Sequence, residues 1–147
     1  AFDQRRLRPH VEQLFSRAVT QVTIAAPLTD PALRTCCLRL RVWLGAFRFA
    51  LSDNAGAAAV LEPAWQEATA ADILDAAALA ANLLGQIAGW SGDRQAARRW
   101  LEESQAICER SGDMLGLANA LHKLAQIQSS FGDYAAARTL AETRLRL

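Results

Sequence analysis

Residues 131 to 138 read Phe-Gly-Asp-Tyr-Ala-Ala-Ala-Arg, and forty positions earlier residues 91 to 98 read Ser-Gly-Asp-Arg-Gln-Ala-Ala-Arg. Another forty positions back stands Ser52-Asp53. The register spreads outward from these turns. Leu44, Leu84 and Leu124 share one slot, followed by Gly45, Gly85 and Ala125; Phe47, Ile87 and Ile127 share the next large apolar slot. Ala57, Ala97 and Ala137 correspond, as do Val60, Trp100 and Leu140, and Glu62, Glu102 and Glu142. A large-small-large apolar pattern kept in step three times is an internal repeat, and a period of this size signals a solenoid.

Each unit reads as two helices. The first spans Asp30 to Leu51, Asp72 to Trp90 and Asp113 to Phe131; the second starts at Asp53, Asp93 and Asp133. In the turn between them Gly supplies the positive φ that ends one helix, and Asp caps the N-terminus of the next. Small residues at Gly85 and Ala97 let the paired helices approach closely, with Leu84, Ile87 and Leu101 filling the space around them. Pro63 falls inside the helix begun at Asp53, where it should kink the helix or shift its start. Equivalent Asp side chains on stacked units stand about 10 Å apart, too far to share one ion, so capping rather than metal binding explains them. Before Asp30 the register fails. Pro9 to Val22 still reads as an amphipathic helix, followed by a loop at Ala25 to Thr29. The expected architecture is therefore an all-α, α-α superhelix of about seven antiparallel helices. It forms a single unit over 1–147: a degenerate leading helix and loop at 1–29, then repeats at 30–71, 72–111 and 112–147.

Composition agrees with helix and limits function. Apolar residues make up 52% and charged residues 21%, enough apolar surface for a packed core and against disorder. The net charge of +1 hides segmentation: residues 49 to 92 carry five acids and no base, while residues 1 to 48 carry eight Arg against three acids. Without aromatic-basic interleaving or a groove-reading motif, the basic third reads as a solvated face or an ion-pair partner of the acidic middle, not as a nucleic-acid site. Cys36, Cys37 and Cys108 have neither zinc nor redox spacing and read as small packing residues in a reducing cytoplasm. No signal peptide or run of 18 apolar residues points to export or a membrane. The absence of an initiator Met, and of a stop signal after Thr143-Arg-Leu-Arg-Leu147, suggests a piece of a longer protein.

The Leu-Gly pairs at 44–45 and 84–85, the Gly-Asp-x-x-x-Ala turns and the buried alanines resemble tetratricopeptide repeats. The forty-residue period exceeds that family's usual 34 and implies longer helices. Leu121 and Gln128, or Ala81 and Ala88, stand where that family has aromatics. The segment from Gly92 to Asp113 is similar to a long-period subgroup found in large bacterial LuxR- or MalT-type ATP-dependent regulators. The resemblance implies a non-catalytic scaffold or sensor segment that binds a protein, a peptide or a small effector. A free-standing adaptor, or an accessory domain of a kinase, cyclase or protease, are the alternatives.

Chemistry has few footholds. There is no phosphate-binding Gly loop, no His-Glu-x-x-His and no nucleophile elbow, and His10 and His122 lie in different units. Neither a metal nor a cofactor is expected. By resemblance, the first helix of each repeat lines the inner face of the superhelix. Binding is therefore expected of Arg39, Trp43, Asn82, Gln86, Asn119, His122, Lys123 and Gln126, with Val42, Ala46 and Leu83 also turned outward. Amides there can pair with an extended peptide backbone, and Trp43 can anchor a side chain. Trp100 is expected in the core, with Trp65 and Trp90 packed between repeats. The apolar face of the last helix, including Leu140, Leu145 and Leu147, is expected to seek a covering partner, a second copy among the candidates.

Overall fold

The structure, a computed structural model, describes residues 10, 13, 14, 16, 17, 20 and 30–146. Among these residues there are six complete helices: α1 (Pro31–Ala50), α2 (Asn54–Ala70), α3 (Leu74–Trp90), α4 (Arg94–Ser111), α5 (Met114–Ser130) and α6 (Tyr134–Arg144). His10, Gln13, Leu14, Ser16, Arg17 and Thr20 are also helical. The rest of the expected leading helix and its loop, and Leu147, lie outside the described residues. Among the described residues there is no strand, and no helix is long and apolar enough to cross a membrane.

The turns explain the helix boundaries. The carboxylates of Asp53, Asp93, Asp113 and Asp133 each accept from the backbone N–H three residues ahead, at 2.9 to 3.2 Å. Asp30 does the same for Ala32, with Pro31 in the first turn, where its missing N–H costs nothing. Each such cap contributes about 1 kcal/mol. Gly92, Gly112 and Gly132 occupy the left-handed region at φ 81°, 71° and 83°. The turn before α3 differs. Asp72, at φ 55°, takes the glycine's place, and Ile73 stands in the cap position without a side-chain cap. The expected helix start at Asp72 therefore moves to Leu74. Asp72 is instead held by Arg110, whose Nη2 donates to Oδ1 at 2.8 Å. Pro63 is exposed and α2 runs through it, with its start at Asn54 unshifted.

Three antiparallel pairs, α1/α2, α3/α4 and α5/α6, stack in chain order into a solenoid. Close approach within a pair depends on glycine. A Cβ on Gly45 would fall 2.5 Å from Leu61, and one on Gly85 would fall 2.6 Å from Leu101. Both leucines are completely buried, as are Ala57 and Ala97. The core runs along the stack through Val42, Leu61, Ala80, Leu84, Ile107 and Leu121. Buried Gln128 accepts from Arg94 Nη2 at 3.1 Å, and that guanidinium lies over the Phe131 ring.

Three acids of the middle segment, Glu67, Asp72 and Asp75, pair with arginines outside it. Arg39 reaches Asp75 at 2.7 Å and Arg41 reaches Glu67 at 2.8 Å, joining α1 to α3 and to α2. Three expectations about burial need correction. Leu83 is a core residue rather than turned outward, and Val42, though it borders the inner face as expected, is buried as well. Trp65 does pack between pairs, edge to face on a half-buried Trp100 at 4.8 Å, but Trp90 ends α3 at the turn and is 76% exposed. Cys37 and Cys108 are buried as expected, whereas Cys36 faces solvent.

Because Ala97 has no free surface and its carbonyl lies 3.2 Å from the Cβ position of Gly85, added methylenes have nowhere to go. Ala97→Leu is expected to destabilise the fold by about 1 to 3 kcal/mol in urea unfolding. An unchanged midpoint would contradict the close packing of α3 on α4.

Candidate functional site

The first helices of the three pairs line a groove of about 710 Å³. One wall is α1, through Arg39, Val42 and Trp43; the middle is α3, from Asp75 to Asn82; the far wall is α5, through Leu115, Ala118, Asn119 and His122. The groove deepens between α3 and α5, because Ala76, Ala78, Gly116 and Ala118 project little there. Ser104 and Cys108 of α4 consequently reach the floor from the layer behind. Arg144 of α6 and Asp113 complete the lining.

Of the eight residues expected on the inner face, Arg39, Trp43, Asn82, Asn119 and His122 line this groove. Gln86, Lys123 and Gln126 do not. Gln86 and Gln126 sit one helical turn beyond Asn82 and His122, past the end of the groove, and Lys123 is rotated about 100° from His122. The lining residues differ in what they offer. Trp43 is 58% exposed, a broad apolar ledge on the rim. Asn119 is exposed and His122 half-buried. Asn82 is only 4% exposed, with its Oδ1 accepting from Gln86 Nε2 at 2.8 Å. Lys123 and Gln126 approach each other at 3.5 Å.

The charges on the groove wall are largely committed. The Arg39 guanidinium donates to Asp75, and that hydrogen bond, with the attraction between the charges, pushes its pKa further up. Asp113 caps α5 through Gly116. On the floor, Ser104 Oγ donates to the Ala78 carbonyl at 2.9 Å, tying α4 to α3. Burial pushes the Cys108 thiol up from its ordinary value, with the nearby Asp113 charge adding to the shift. Both effects favour the uncharged thiol, so a metal-ligand or nucleophile role has no support in its surroundings. Among the described residues, no group of three or more His, Cys, Asp or Glu could hold a metal ion.

The sequence did not point to Ser104, Cys108 or Arg144 as lining residues. They belong to second helices, which the repeat pattern assigns to the outer layer. The signal for Ser104 and Cys108 is the run of small residues on α3 and α5, which opens a path to them.

Residues 75–147, from the first turn of α3 through α6, match the family model of the tetratricopeptide repeat. No curated protein matches the chain. Repeats of this family serve as protein-interaction scaffolds.

Native-state alkylation should distinguish the thiols. Iodoacetamide is expected to label Cys36 promptly at neutral pH, with Cys37 and Cys108 labelled at appreciable rate only on unfolding or at raised pH. Prompt labelling of all three by mass spectrometry would contradict the packing of the groove floor.

Proposed function

We propose that this tetratricopeptide-repeat protein is a non-catalytic scaffold or sensor segment of a larger cytoplasmic bacterial regulator. In this reading its groove holds an extended stretch of a protein partner. The observation that carries the reading is the groove itself, which runs across the first helices of three successive pairs and sets an exposed indole on one wall and the polar groups of Asn119 and His122 on the other. An extended chain needs that combination. Trp43 offers area for an anchoring side chain at small entropic cost, while Asn119 and His122 can donate to and accept from main-chain amides. Arg39 and Asp75 neutralise each other on the wall, so the partner need not be strongly charged there. The regulator context is supported by the resemblance of Gly92 to Asp113 to repeats of LuxR- and MalT-type proteins.

Panning a displayed peptide library on the folded chain tests this reading. Enriched peptides should bind at least about tenfold more weakly to Trp43→Ala and Asn119→Ala. They should bind unchanged to Glu62→Ala, an exposed position on α2 away from the groove. Failure to enrich any sequence, or peptides indifferent to all three changes, would overturn it.

A further inference from the structure

The slot shared by Val42, Asn82 and His122 faces the neighbouring pair of helices. In the first pair it holds Val42, buried and apolar as the stack requires. In the second it holds Asn82, equally buried. One side of its carboxamide is satisfied by Gln86, but its nitrogen has no hydrogen-bond partner among the described residues. An apolar side chain fits this slot forty residues earlier; the Asn82 nitrogen, by contrast, is not sealed in the core but keeps some solvent contact, in a side chain that lines the groove. The open donors of Asn82 lie in the lining of the deep part of the groove, among Ala76, Ala78, Gly116 and Ala118.

Three features define what would fill this space. The donors call for an acceptor such as a carbonyl oxygen. The alanines and glycine call for an apolar body. The charges of the lining are either committed, as in Arg39, Asp75 and Asp113, or at the edge, as in Arg144. A charged group on the floor would be desolvated without a counter-ion. The whole groove, of which this space is one part, has a volume of about 710 Å³, within the range of about 300 to 1,000 Å³ usual for small-molecule pockets. We infer that the space between α3 and α5 is a binding site for a small, uncharged, largely apolar effector, whose carbonyl accepts from Asn82. This deepens the proposed sensor role, but it rests on the floor of the groove, whereas peptide binding rests on Trp43 and Asn119 at the rim. Failure of one therefore leaves the other standing.

The test is an NMR titration of the chain, labelled with nitrogen-15, with acetanilide, a neutral ring bearing a carbonyl. Acetanilide is expected to shift the Asn82 side-chain amide signals with a dissociation constant of about 1 mM, ordinary for a fragment. Phenylacetate, of similar shape but charged, should bind at least about tenfold more weakly. Asn82→Val, which copies the first pair, should fold at least as well as the parent and lose acetanilide binding by a similar factor. Ala118→Leu, which narrows the space without touching the donor, should lose it too and serves if the first variant misfolds. The inference is overturned if about 10 mM acetanilide leaves these signals unmoved. Equal binding of phenylacetate, or undiminished acetanilide binding in the folded variants, would overturn it as well.

Discussion

The approach of one helix onto its partner, where Leu61 lies against Gly45 and Leu101 against Gly85, is the contact on which the stack depends. At both places the leucine occupies the volume that a β-carbon would need, and the neighbouring Ala57 and Ala97 keep the opposing surface equally low. The interhelical distance is thereby set by backbone rather than by side chains. Everything at the next level follows from that distance, including the alignment of the first helices into one wall. The third pair solves the same problem differently. Ala125 and Ala141 stand where the other two pairs have glycine and leucine, so the small residue has grown as the large one has shrunk. Such an exchange preserves approximate volume, the kind of change packed interfaces tolerate best.

Turn chemistry gives the stack its regularity, and its departures are informative: before α2 Ser52, at φ 65°, takes the glycine's place, with Asp53 still capping. Where glycine takes the left-handed position, aspartate follows and caps the next helix. Before α3 an aspartate itself stands in the glycine's position: Asp72 adopts the left-handed conformation, and its carboxylate turns to Arg110 at the end of α4 instead of to the helix that follows. Aspartate tolerates this region better than most residues. The pair is exposed and adds little stability by itself, but it ties the end of α4 to the turn of the preceding pair.

Much of this was legible in the sequence because the fold repeats a local rule. Periodicity located the turns, and the Gly-Asp pairs placed the helix starts within a residue or two. Gly85 and Ala97 announced close packing by their size alone. What could not be read depended on the third dimension. Asp72 looks like another cap until the residue after it is seen to hold the cap position. Trp90 is as apolar as Trp65, yet it falls at a helix end, where no neighbouring pair covers it. The groove residues were legible only from α1, α3 and α5. Ser104 and Cys108 are visible from the groove because the alanines in front of them are small, a relation between helices that no single-helix pattern encodes.

The polar character of the groove follows from the same repetition. Along the slot of Val42, Asn82 and His122, and along that of Ala64, Ser104 and Arg144, side chains become more polar from the first pair to the third. Burial follows in parallel: Val42 and Ala64 are inaccessible, Asn82 and Ser104 are buried but polar, and His122 and Arg144 reach solvent. A perfectly regular solenoid would place an apolar residue in each of these slots and bury them all. Ser104 escapes the cost of its position by donating to the Ala78 carbonyl, so it serves the stack. Among the described residues, the side chain of Asn82 has a hydrogen bond only with Gln86 of its own helix. The two polar substitutions are thus of different kinds. One is a joint between helices, and the other is an opening in the core that faces the groove.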